Sequence, residues 1–375
     1  MQKKLIALAV AAALTSPALA LADSANVTFY GLLNADIENV RNTKPSTAVV
    51  TARNRVTSNA SRFGLKGEED LGDGLKAIFQ VETRVNLAGN ETAAGTGAGT
   101  LATTAANTMS TQIGVFNGLR NSNVGLKGDF GTAFVGIWDT PYKVAHNPVE
   151  LFDNTTIATA TALMGNYAGG FNLRQNSSIQ YWTPSIGGFQ VKTAYSTSNT
   201  TNDLASPTTL TANQNPKLVS LSAAYDDAMF YAAFGYEKHI DMTGVNASQK
   251  GARFVGAFKF EGGQVGLAYE TITRELLLGS RNAMELSAKY KFGASNVAGF
   301  VTVAGKQGYV VGTNAHQMSL RYGYNMSKRT EAYALYTSIA NGASASYGIV
   351  DVTNGIVAGN GSRVSGFGVG VVHTF

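Results

Sequence analysis

Polar and apolar residues alternate along most of this chain, and the alternation repeats every two residues. In LKAIFQVETRVN (75–86), Leu75, Ala77, Phe79, Val81 and Val85 share one face, and Lys76, Gln80, Glu82, Arg84 and Asn86 share the other. ARFVGAFKF (252–260) sets Phe254, Phe258 and Phe260 against Arg253 and Lys259. MELSAKYKF (284–292) sets Met284, Leu286, Tyr290 and Phe292 against Glu285, Lys289 and Lys291, and SLRYGY (319–324) sets Leu320, Tyr322 and Tyr324 against Arg321. A period of two belongs to the β-strand, whose successive side chains point to opposite faces. The pattern predicts an all-β chain with one apolar and one charged face. The last residues, GFGVGVVHTF (366–375), follow it: Phe367, Val369, Val371, His373 and Phe375 on one side, three glycines with Val372 and Thr374 on the other.

The connections alternate too. Tight ones fall at 68–74, 129–131, 185–188, 226–228, 261–263, 292–295 and 326–329, and longer polar stretches at 41–53, 87–119, 139–173, 198–216, 240–250, 274–281, 306–314 and 340–363. Seven tight turns and eight long connections join sixteen strands. The Gly/Ala/Thr-rich stretch 88–111 is low in complexity and reads as a flexible loop.

Two architectures produce such a pattern. A soluble sandwich would turn the apolar faces to a core and the charged faces to water. A transmembrane barrel would turn the apolar faces to lipid and the charged faces to a wet interior. Regular spacing over the whole chain, with turns sorted into a short and a long set, favours the barrel. In hydrocarbon each unpaired backbone group costs several kcal/mol, so such a sheet must close on itself. The first strand, VTFYGLLNADIENV (27–40), is therefore expected to pair with the last. Phe375 would then face lipid at the edge of the apolar band. No run of 18 apolar residues provides a helical span.

Composition agrees. There are 42 glycines and only 7 prolines, aromatics are 10%, and charged residues are 14% against about 25% in soluble domains. Cysteine is absent, which excludes disulfides and thiolate metal sites. At the start, Lys3 and Lys4 precede LIALAVAAAL and a small-x-small site. This predicts a secretory signal over 1–22, cleaved after Ala22 or alternatively after Ala20, and a barrel domain over 23–375. The basic excess, 29 against 24, shrinks when Lys3 and Lys4 leave with the leader, which argues against nucleic acid as a partner. The four histidines, His146, His239, His316 and His373, form no H-x-x-x-H pair; there is no G-x-S-x-G elbow and no P-loop. Neither metal nor cofactor is expected. A Ser–His pair distant in sequence, with His316 as base, is the remaining enzymatic reading.

VTFYGLLNADIE (27–38), SNASRFGLKGEEDLGDGLKAIFQVET (58–83), RNSNVGLKGDFGTAFVGIWDTP (120–141), RQNSSIQYWTP (174–184), YGYNMSKRTEAYALY (322–336) and the terminal His373-x-Phe375 resemble the general porins of the Gram-negative outer membrane, of the β-proteobacterial type. The resemblance implies a sixteen-stranded barrel with short periplasmic turns and long extracellular loops. It implies a homotrimer among outer membrane lipids and lipopolysaccharide, passing ions and small hydrophilic solutes by passive diffusion. His373 and Phe375 would be the signature read by the barrel assembly machinery. The third long loop, 139–173 here, would fold into the pore with Asp139, Glu150 and Asp153, facing Arg62, Arg84 and Arg174 on the wall. Arg41, after the first strand, is a more peripheral candidate. Ile137 stands where family members often carry arginine, which implies a weaker cationic constriction.

Basic residues outnumber acidic ones on the polar face, which points to a mild anion preference. The lever is local dielectric: two unit charges 4 Å apart interact by about 1 kcal/mol in water and about 4 at an effective dielectric of 20. Glu150 and Asp153 are expected to set a transverse field with Arg62 and Arg84; the other reading has them capping loop backbone. Beside general diffusion stand a substrate-specific channel of the same fold and a surface adhesin or soluble exported β-protein.

Overall fold

The computed structural model describes residues 26–44, 51–88, 116–152, 157–165, 170–197, 215–241, 247–274, 279–349 and 358–375. The expected leader 1–22, almost all of the 88–111 stretch and Asp153 lie outside them. The described β-segments are β1 (Asn26–Asn42), β2 (Ala52–Ser58), β3 (Arg62–Gly72), β4 (Leu75–Val85), β5 (Phe116–Leu119), β6 (Ser122–Gly128), β7 (Gly131–Asp139), β8 (Arg174–Trp182) and β9 (Phe189–Thr197). They continue as β10 (Lys217–Asp226), β11 (Phe230–Ile240), β12 (Ser248–Phe260), β13 (Gly263–Arg274), β14 (Gly279–Phe292), β15 (Ser295–Ala304), β16 (Ala315–Asn325), β17 (Thr330–Asn341) and β18 (Arg363–Thr374).

All pair antiparallel, in one sheet that closes where β1 meets β18, from Leu32↔Thr374 to Asn42↔Val364. β2 and β3 lie end to end along the other edge of β1, and β5 and β6 along β4. Counting each pair once gives a 16-stranded barrel among the described residues. The break between β2 and β3 falls at Ala60, whose φ of 52° no regular strand holds. The sandwich reading is thereby set aside, since a single closed sheet has no second layer.

The barrel is apolar outside. Phe254 and Leu286 are 59% and 54% exposed, while their neighbours Arg253 and Glu285 are wholly buried. The same alternation runs through β18, where Phe367, Val369 and Val371 are exposed and Gly366, Gly368 and Gly370 pack inward. Val85 departs from it. It is 6% exposed because β4 shifts register there as its partner changes from β6 to β5, and its N–H bonds the Ser61 carbonyl.

Tight turns join β3–β4, β6–β7, β8–β9, β10–β11, β12–β13, β14–β15 and β16–β17, as the sequence pattern predicts. The β3–β4 turn shows why Asp-Gly stands there. Asp73 and Gly74 have φ of 50° and 75°, the geometry that matches the twist of a two-residue hairpin. The largest apolar cluster lies where the segment between β7 and β8 rests on the buried face of the sheet. Phe152, Ile157, Leu163 and Met164 of that segment belong to one cluster with Phe300, Leu335, Ile339 and Val364 of the wall.

Candidate functional site

Two groups of charged side chains occupy the buried face. The first spans β3 to β8. The β3–β4 register places Arg62 directly opposite Arg84. Beside them, opposite Gly64, Glu82 accepts from Arg120 Nε at 2.7 Å and from the Tyr30 hydroxyl at 3.1 Å, and lies 3.8 Å from Arg62 Nε. Asp139 is the last residue of β7 rather than the first of the loop. It accepts from Lys143 Nζ at 3.0 Å and from Asn121 Nδ2 at 3.1 Å, with Arg174 at 3.3 Å. Arg84 and Arg120 lie within electrostatic reach of Arg174. Four arginines and Lys143 thus stand against Glu82 and Asp139. Arg62, Arg120 and Arg174 keep 22%, 13% and 16% of their side-chain surface open.

The structure therefore brings Arg62, Arg84, Arg174 and Asp139 together. It adds Arg120, which the sequence reading missed because Arg120 precedes β6 and belongs to no alternating run. Arg41 is not part of the group. It is exposed, shares the outward parity of Ile37, and donates to Asn39. Glu150 is turned to its own segment: its carboxylate accepts the N–H of Phe152 at 3.0 Å and of Ala160 at 3.1 Å. Those bonds fit the capping reading of this acid.

The second group ties the 140–173 segment to the sheet. Thr140 caps a short helix (Pro141–Val144), its hydroxyl accepting from Lys143 N, and proline follows at the position where a missing N–H costs nothing. Tyr142 N donates to Ser220 Oγ at 3.0 Å and its hydroxyl to Glu270 at 3.2 Å. Burial, opposed by nearby Arg253 and reinforced by Glu270, holds the Tyr142 phenol well above its usual range, so it remains a donor. Glu270 also receives Arg253 at 2.6 Å, Arg281 at 3.1 Å and the N–H of Gly165 at 2.7 Å. Further bonds run from Tyr231 to the Ala145 carbonyl, Arg281 to that of Leu163 and Gln317 to that of Thr159. Strands β10, β11, β12, β13, β14 and β16 all take part. At the chain end, His373 bonds Thr330 through Nδ1 at 2.8 Å, and its ring lies 6.5 Å from that of Phe375.

A family model described as Gram-negative porin matches residues 7–344. Outer membrane porin protein 32 of Delftia acidovorans is 29% identical over 392 residues, with all of both chains covered. Major outer membrane protein P.IB of Neisseria lactamica is 27% identical over 352 residues, covering 88% of this chain and 91% of that one. Among solved structures, the anion-selective porin from Comamonas acidovorans superposes with a TM-score of 0.72 at 23% identity, covering 94% of this chain and 100% of that chain. OmpT of Vibrio cholerae superposes at 0.63 and 15% identity, over 94% and 98%; these two likenesses speak for the fold. A family match over most of the chain, joined to a closed barrel that is apolar outside and charged within, leaves one conclusion: the chain belongs to the Gram-negative porin family and is an outer membrane channel for passive diffusion.

Proposed function

We propose that this channel passes small hydrophilic solutes with a preference for anions, and that the arginine-rich wall between β3 and β8 sets the preference. The observation that carries the reading is the gathering of Arg62, Arg84, Arg120 and Arg174 against two carboxylates. In a narrow passage such an excess attracts anions without any chemistry. In this reading the 140–173 segment is the pore-narrowing third loop. The seven tight turns face the periplasm and the long connections face outward. The mature chain begins after the leader, and three copies associate. The related anion-selective porin lends support to the sign of the preference. The test is substitution. Replacing Arg84 or Arg120 by glutamine should shift the reversal potential in a salt gradient toward cations. The same change at Lys291, near the β14–β15 turn, should leave it nearly unmoved. Equal shifts at all three would remove the idea.

One observation favours a solute-selective channel instead. The chain has 2 tryptophans, and barrels of this kind often place such residues in outer girdles. Here Trp182 shares the inward parity of Gln180, with ring centroids of Phe134 and Trp138 at 5.2 and 6.0 Å. Lys192 sits 4.4 Å from the Trp182 ring centre. Such a surface would hold a planar anionic solute by stacking and charge. Saturable block of conductance by an aromatic carboxylate would support it, and linear mixing of currents would not.

A further inference from the structure

We propose that His146, Glu150 and Glu285 form a binding site for a divalent transition-metal cation, with Zn²⁺ the fitting ion, and that the ion pins the 140–173 segment to β14. The site lies apart from the arginine cluster and goes beyond the pore reading.

The local fold prepares two of the ligands. The N–H groups of Val149 and Glu150 both donate to the His146 carbonyl, at 3.0 and 3.1 Å, so residues 146–150 make a helical turn. Four residues apart on such a turn, His146 and Glu150 present side chains to the same side. Glu285 comes from the facing wall, between the outward-pointing Met284 and Leu286. All three residues are buried, and one donor atom from each lies within 4.8 Å of the others.

The spacing suits an ion. His146 Nε2 and Glu285 Oε2 are 2.8 Å apart. Two zinc bonds of about 2.0–2.2 Å meeting at the tetrahedral angle put their ligand atoms about 3.4 Å apart. Those two atoms need to part by about half an ångström, and the Glu150 carboxylate, held within 4.8 Å of both, offers the third donor. One imidazole and two carboxylates are a zinc donor set, and the nitrogen disfavours the hard cations that prefer all-oxygen cages.

A second observation points to a cation as the partner. Glu285 Oε1 is buried and has no hydrogen-bond partner. A wholly buried carboxylate oxygen without a donor is costly, and an ion chelated by both Glu285 oxygens would give it a partner. The neighbouring cations are committed elsewhere: Arg253 bonds Glu270 and Asn172, and Arg281 bonds Glu270, Tyr347 and the Leu163 carbonyl. Arg253 lies within electrostatic reach of Glu285 but is bonded to Glu270, as is Arg281. The backbone N–H groups of Phe152 and Ala160 hold the Glu150 carboxylate in place, the outer-shell support that metal ligands typically have. A search for paired histidines misses the site, since its second carboxylate lies 139 residues from His146.

The experiment uses the full folded protein in detergent, stripped with a chelator and titrated calorimetrically with Zn²⁺. Co²⁺ absorption gives a second reading of ligand geometry. The expected result is a single equivalent of Zn²⁺ per chain, lost in Glu285→Gln and in His146→Ala, and kept in His316→Ala, whose histidine is exposed on β16. Glu285→Gln keeps shape and removes only charge, so it guards against misfolding. Absence of stoichiometric Zn²⁺ binding in the wild type, or binding that survives both substitutions, overturns the proposal. Conductance is recorded on the same samples: a conducting channel that binds no Zn²⁺ refutes the metal site alone, and a silent one refutes the pore reading.

Discussion

Gly31 and Phe375 close the barrel together. Each donates its backbone N–H to the other's carbonyl, at 3.1 and 3.2 Å, and the Phe375 ring fills the space that a side chain on Gly31 would need. An exposed strand edge in lipid would leave such groups unpaired, so the last residue of the sequence completes the first strand.

That relationship predicts coupling between the two positions. Gly31→Ala must push the ring aside and should destabilise the folded barrel by less than the about 1–3 kcal/mol of overpacking a closed core, because the ring tip belongs to a half-exposed side chain. Phe375→Ala should cost less in the Gly31→Ala background than in the wild type, because the ring is already displaced there. Urea unfolding in lipid vesicles measures the cycle. Strict additivity would mean that the two residues do not share this space.

Glu270 holds two buried arginines, a tyrosine hydroxyl and a backbone N–H of the 140–173 segment at once. Glu270→Gln leaves both guanidiniums without their counter-charge. Breaking a buried pair in this way costs about 3–5 kcal/mol, far more than the net worth of the pair. The variant should unfold at lower urea and show noisier open-channel current. An unchanged urea midpoint would contradict the role given to this network.

The β10–β11 turn gives a pH dependence. Asp227 accepts from the Tyr225 hydroxyl at 2.5 Å and from the N–H groups of Met229 and Phe230 at 2.7 and 2.6 Å. The Tyr225 bond first, then the two backbone bonds, hold its carboxyl below the usual range. A folded pKa below the unfolded one means that the stabilisation is present above the ordinary carboxylate pKa. It is lost as pH falls through the lowered value. The urea midpoint of the wild type should therefore drop on acidification by more than that of Asp227→Asn. Parallel pH profiles would sink this assignment.

The barrel was legible because its physics is written twice in every strand. Lipid demands Phe254 and Leu286 on one side, and water or the inner segment demands Arg253 and Glu285 on the other, so parity alone finds the faces. The turns were legible for the same reason, Asp73-Gly74 being the residue pair that its backbone requires. The inner site was less so. Arg62 and Arg84 lie on alternating strands and could be placed by parity, whereas Arg120 sits at a break between β5 and β6 where parity carries no information. Glu150 could be named but not oriented, since its partners are backbone N–H groups of a loop. The convergence of His146 with Glu285 depends on how the 140–173 segment lies against β14, which no local pattern encodes.

The most direct measurement is single-channel recording of the purified protein in a planar bilayer between asymmetric potassium chloride solutions. A water-filled barrel with an arginine-rich wall predicts stepwise conductance and a reversal potential of the sign that chloride preference gives. A bilayer that stays silent, or a reversal potential set by potassium, would contradict it.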